Sequence, residues 1–188
     1  MTPEELDMLL DMARESMDGS LEHLSKELIK VRTGKASPAI LGGILVEYYG
    51  SPTPLNQVAN VSTSDSRTIV IQPWEKPMLA AIERSIFESN LGLTPQNDGE
   101  VVRLSIPPLT EERRRDLVKQ VKALGEDAKV SIRNGRRDAM DSVKKAVKDG
   151  LPEDAGKRKE TEIQDLTNEF SNKVDKIVEI KEKDIMTI

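Results

Sequence analysis

From Leu117 to Ala146 an apolar or small residue returns at every third or fourth position: Leu117, Val121, Leu124, Ala128, Ile132, Gly135, Ala139, Val143 and Ala146. A step of three and four places all of them on one stripe of a helix. Thr110 can cap this helix, with Glu111 and Glu112 in its first turn, and the pattern runs to near Gly150. At 1.5 Å per residue such a rod is about 60 Å long. A second stripe runs through Leu6, Leu10, Ala13, Met17, Leu21, Leu24, Leu28 and Val31, with Thr2 as cap and Pro3 at the first helical position. A third follows the break at Leu151-Pro152 and holds Ile163, Leu166, Phe170, Val174, Ile177 and Ile185. Three rods with one apolar stripe each bury those stripes most simply against one another, as a three-helix bundle.

Between the first and second of these rods the texture changes. Eight of the ten prolines fall between Pro38 and Pro108, among short β-branched runs: 43–50, 58–61, 68–71 and 101–106. These read as strands between turns, with one helix from about Met78 to Asn90 stopped at Gly92. The expected fold is therefore α+β: a three-helix bundle of residues 1–33 and 108–188 with a small β/α/β domain, 34–107, inserted in it. Two crossings near 33–37 and 105–109 join the parts. Thr33-Gly34 offers a flexible turn and Pro107-Pro108 a stiff one, which suggests a hinge.

Chemistry is sparse. The chain has no cysteine and one histidine, His23, so no thiolate site or His-paired nucleophile can be assembled. It shows no GxxxxGK[ST] or GxGxxG phosphate loop, no signal peptide and no apolar run long enough to span a membrane. A cytoplasmic, non-enzymatic protein without cofactor or metal is expected. Tyr48, Tyr49 and Trp74 could stack bases, but such residues in a small sheet more often serve as core or edge packing.

The formal charge of -5 hides an uneven distribution. Residues 110–150 hold twelve Lys and Arg against eight acids, a surplus of four, which leaves -9 for the rest. On a helical projection Lys122, Lys129, Arg133, Arg136 and Arg137 share a stripe roughly 130° round from the apolar one. Taken alone, that stripe fits a solvated helix face as well as an electrostatic footprint for a phosphate backbone. A helical adaptor would need an exposed apolar patch at a rod end, and an enzyme a carboxylate site in the small domain; neither is evident.

Four segments carry a resemblance: Lys30-Val-Arg-Thr-Gly-Lys-Ala-Ser-Pro38, Val46-Glu-Tyr-Tyr-Gly-Ser-Pro-Thr-Pro-Leu55, Pro107-Pro-Leu-Thr-Glu-Glu-Arg-Arg114 and Arg133-Asn-Gly-Arg-Arg-Asp-Ala139. In this order and at these separations they resemble the ribosome recycling factor family. The resemblance implies an L-shaped, monomeric protein that binds large-subunit ribosomal RNA through its bundle. It also implies that ribosome splitting is carried out with elongation factor G, which hydrolyses GTP. By motif, Arg133 and Arg136 resemble the family's RNA-contacting arginines, and Arg32 lies in the matching hinge segment. Lys35 stands where the motif usually carries arginine, and Gly135 where the stripe usually carries an aliphatic residue.

Overall fold

A computed structural model describes residues 1–187 and divides the chain into two compact units, Met1–Val31 with Arg115–Ile188, and Arg32–Arg114. The first contains three long helices: α1, Pro3–Ile29; α4, Glu111–Lys148, which begins just before the unit boundary; and α5, Glu153–Met186. Between α1 and α4 lie β1 (Leu45–Tyr48), β2 (Ser51–Pro54), a single turn α2 (Leu55–Val58), β3 (Ala59–Asp65), β4 (Thr68–Pro73), α3 (Leu79–Glu88), β5 (Pro95–Asn97) and β6 (Val102–Ser105).

The ends of the rods follow from local chemistry. Thr2 and Glu5 form a reciprocal capping box: the Glu5 N–H donates to Thr2 Oγ1 (3.2 Å) and the Thr2 N–H to Glu5 Oε2 (2.7 Å). Two otherwise orphaned donors are thereby satisfied. Thr110 Oγ1 accepts from the Arg113 N–H at 3.1 Å, and Gly150, at φ +109, ends the run that α4 began.

The bundle core is the meeting of the three stripes: Met17 and Leu24 from α1, Val121, Ile132 and Val143 from α4, Ile163, Phe170 and Val174 from α5. The stripes are not buried at every position: Leu10, Leu21 and Ile177 are only half-buried, and three further details differ. Ser20 takes a buried place on α1, its hydroxyl 2.7 Å from that of Ser131 on α4, and donates to the Ser16 carbonyl. Leu124 is only half-buried, and Gly125 is the buried position instead. Gly135 is half-buried, and a Cβ there would meet Ser16 Oγ of α1 at 3.3 Å, so a close approach to α1 accounts for it.

The smaller unit folds around its own core, with Val46, Ile69, Ile71, Ile82, Ile86, Val102 and Leu104 at its centre. Its main sheet is antiparallel in the order β3-β4-β6-β5, and β1 and β2 form a separate hairpin. Helix α3 buries Leu79, Ile82 and Ile86. It starts one residue later than the sequence suggested, after a 3-10 turn at Lys76–Met78, and ends at Glu88; Asn90 and Gly92 both follow at positive φ. Strands β2 and β5 escaped the sequence reading because each contains proline, which a sheet tolerates at a hairpin or an edge.

Candidate nucleic-acid interface

On α4 the basic residues gather on one side. By the turn of about 100° per residue, Arg115, Lys119, Lys122, Lys129, Arg133, Arg137, Lys144 and Lys148 fall within a sector about 100° wide. Past the first turn, Glu126 is the acid among them. Asp116, Asp127, Asp138 and Asp141 fall in the next sector round. Of the five stripe residues singled out from the sequence, Lys122, Arg133 and Arg137 are exposed. Lys122 and Arg133 make no side-chain hydrogen bond or ion pair among the described residues, so their charges face solvent. Arg137 reaches back along its own helix to Asn134 Oδ1 at 3.4 Å.

Lys129 and Arg136 behave differently, and here the expectation of a stripe well clear of the core needs correction. Both are half-buried. Lys129 Nζ lies 2.5 Å from Asp175 Oδ1 of α5 and 4.0 Å from Glu126 Oε1. Arg136 Nη1 donates to Gln164 Oε1 of α5 at 3.1 Å. The stripe thus borders the α4/α5 seam, and its inner edge is already engaged by α5. An ion pair half-satisfied by a neighbour offers less charge to an outside phosphate than an unpaired guanidinium does. Lys122 and Arg133 therefore stand out as the most available cations of the five.

The expected hinge segments both fall in the smaller unit. Gly34 sits at φ +75, a conformation that favours glycine, and a Cβ there would also crowd Leu109 Cγ at 3.0 Å. Arg32, Thr33, Pro107 and Pro108 lie in irregular backbone without a cis peptide.

Three other features bear on chemistry. His23 is exposed, as a flanking surface residue would be. Lys159, unremarked in the sequence, is buried and donates to Glu162 Oε2 (2.7 Å) and to Asp7 Oδ1 of α1 (2.9 Å). The Glu162 hydrogen bond, and after it the Asp7 bond, hold its pKa above the usual lysine range against desolvation. The third feature divides the aromatic residues: Tyr48 is half-buried and packs against the core of the smaller unit, as the sequence suggested. Tyr49 is 80% and Trp74 67% exposed, so neither is core packing. Among the described residues, no helix is long and apolar enough to cross a membrane.

These observations define a two-unit helical factor whose distinguishing surface is a basic helix face. The ribosome recycling factor family model matches residues 24–186. The ribosome-recycling factor of Flavobacterium johnsoniae is 53% identical over 185 residues, 98% of this chain and 99% of that protein. That of Porphyromonas gingivalis is 52% identical over 98% of this chain and all of its own length. A solution structure of a ribosome recycling factor superposes with a TM-score of 0.84 at 38% identity, covering both chains completely. A second structure, at TM-score 0.67 and 48% identity over 97% of this chain and 99% of its own, comes from models for the T. thermophilus ribosome recycling factor and the E. coli elongation factor G bound to the E. coli post-termination complex. The chain belongs to the ribosome recycling factor family, which is a family of non-enzymatic translation factors.

Proposed function

We propose that this protein binds the post-termination ribosome as a cytoplasmic monomer, through the basic face of α4 against large-subunit ribosomal RNA. With elongation factor G and GTP it then splits the ribosome into subunits. The observation that carries the RNA contact is the gathering of α4's cations into one sector, Lys122 and Arg133 the least engaged of them, on a chain of negative net charge. Phosphate backbones attract such a stripe and release their counterions to it. Family membership and the T. thermophilus relative's association with a post-termination complex and elongation factor G support the rest. In this reading Arg133, Arg136, Arg137, Lys129 and Lys122 contact RNA. The body made of 1–33 and 108–188 is then held on the ribosome. Residues 34–107 move on a hinge formed by Arg32, Thr33, Gly34, Pro107 and Pro108.

The test is ribosome binding and splitting by an Arg133→Glu, Arg136→Glu double variant. Co-sedimentation should weaken strongly. For a neutral replacement at Arg133, the log–log salt dependence of binding should fall by about one unit per lost phosphate contact. Light scattering should show subunit splitting only when protein, elongation factor G and GTP are all present. Charge reversal at Glu4 or Glu5 is the control and should leave binding intact. Unchanged binding by the double variant would make the basic face a solvated surface only.

A further inference from the structure

The β1–β2 hairpin turns through two residues, Tyr49 and Gly50, at φ +47 and +80. A tight turn with both central residues at positive φ ordinarily takes Asn-Gly, because a side chain with a bulky Cβ substituent is strained there. Tyrosine at the first position is an outlier. Burial does not compensate it, since the ring is 80% exposed. What holds it is a clamp. Glu75 accepts the Tyr48 hydroxyl on Oε1 (3.0 Å) and the Tyr49 hydroxyl on Oε2 (2.9 Å). The two rings meet edge to face, centroids 4.6 Å apart at 75°. Both phenols are held above the usual tyrosine pKa range by donating to that carboxylate.

The result is an oriented anion beside two ordered aromatic rings. A carboxylate has about four lone-pair positions, and the tyrosines occupy two. Among the described residues no cation lies within ion-pair distance of Glu75, although Lys76 is its neighbour in sequence. The negative charge is therefore not neutralised from within the protein. Nucleic acid would be repelled by it, whereas a cation would gain both the carboxylate and the negative face of an exposed ring.

We infer that Tyr48, Tyr49 and Glu75 form a receptor for a cationic side chain, an arginine presented by a basic segment of a partner protein. Arginine fits better than lysine because its planar guanidinium can lie on the Tyr49 ring while donating to Glu75. The strain at Tyr49 then has a use: it fixes an exposed ring where a partner can reach it.

Trp74, the only tryptophan, precedes Glu75 and is exposed, so it reports on this surface. The experiment follows the Trp74 indole and Tyr49 ring signals of the full chain by NMR during titration with N-acetyl-arginine amide. Saturable shifts confined to these residues are expected, weaker with the lysine analogue and absent with the neutral glutamine analogue. Glu75→Gln and Tyr49→Ala should each weaken the arginine response by about tenfold or more. Glu88→Gln, on the exposed surface of α3, should not. The inference is overturned by no saturable response to the arginine amide in the unaltered protein, or by a response undiminished in Glu75→Gln. It is likewise overturned if an oligouridylate shifts these signals and the arginine amide does not.

Discussion

Helices α4 and α5 run antiparallel with a glycine of each set against a valine of the other. A Cβ on Gly125 would lie 2.6 Å from Val178 Cγ2, and one on Gly156 would lie 2.5 Å from Val147 Cγ2. The two contacts sit 22 residues apart on both helices, about 33 Å along the seam. Carbon atoms in contact normally stand about 3.5–4.0 Å apart, so Gly125→Ala creates an overlap of about 1 Å. Overpacking of this kind costs roughly 1–3 kcal/mol. The replacement also removes the helix penalty of glycine, about 1 kcal/mol. The net expectation is a loss of about 0–2 kcal/mol, read as a fall of roughly 2–4 °C in midpoint per kcal/mol for a chain of this size. Gly19→Ala on α1 is the matched control: it is helical and exposed, with nothing within 4 Å of its added Cβ. It should raise the midpoint. Pairing Gly125→Ala with Val178→Ala should remove the clash, so that the double variant is more stable than the two single effects sum to, by about 1–3 kcal/mol. The assay is thermal unfolding followed by helical circular dichroism. If Gly125→Ala raises the midpoint as much as Gly19→Ala does, the close approach of the two helices is not constrained by that glycine.

Other outcomes follow from the same geometry. Gly34→Ala, at φ +75 and against Leu109, should destabilise the protein by about 1–3 kcal/mol in urea titration, more than an exposed glycine replacement would. Arg133→Glu should leave the thermal midpoint within about 0.5 kcal/mol of the parent, whereas Arg136→Glu, which loses the Gln164 hydrogen bond, should cost about 0.5–1.5 kcal/mol. Lys159 has a pKa raised by Glu162 and Asp7, so the stability it contributes is present below the unfolded lysine value and is lost as pH rises through the folded one. Urea midpoints of the parent should accordingly fall faster than those of Lys159→Met above about pH 10.4, and parallel curves would refute the assignment.

How much of this was legible in the sequence depended on whether one residue type decided the matter. Thr2 with Glu5, and Thr110 before its acidic turn, set helix starts that the structure places where the capping chemistry requires. The stripe from Leu117 to Ala146 set the buried face of α4, because aliphatic side chains have one favourable place to go. Its exceptions came from partners that sequence alone does not supply. Gly125 is buried because Val178 comes close, and on α1 Ser20 is likewise buried off its stripe because Ser131 offers it a hydrogen bond. The basic stripe was legible as charge but not as availability: Asp175 and Gln164, far away in sequence, decide that Lys129 and Arg136 are engaged while Arg133 is not. The Tyr-Tyr-Gly turn carried a signal too, since tyrosine stands where asparagine is expected. Its meaning needed Glu75, 26 residues on.

The net charge of -5 is the least informative number about this molecule, because its helices do not share it. Helix α1 carries eight acids against two Lys and Arg, whereas α4 carries twelve basic residues against seven acids. One helix is thus at -6 and the other at +5 within the same bundle. An approaching polyanion responds to the field at the face it meets, not to the sum over the chain, because salt screens charges beyond about 8–10 Å. For the proposed RNA contact, the acidic α1 acts as well as the basic α4: phosphate is drawn to one side of the bundle and repelled from another, so attraction also fixes orientation. Neutralising several α1 acids, Asp11, Glu15 and Asp18 among them, should strengthen binding of the protein to nonspecific RNA while doing little for its affinity for ribosomes. An equal gain in both would show that these acids set only the overall attraction and not the choice of face.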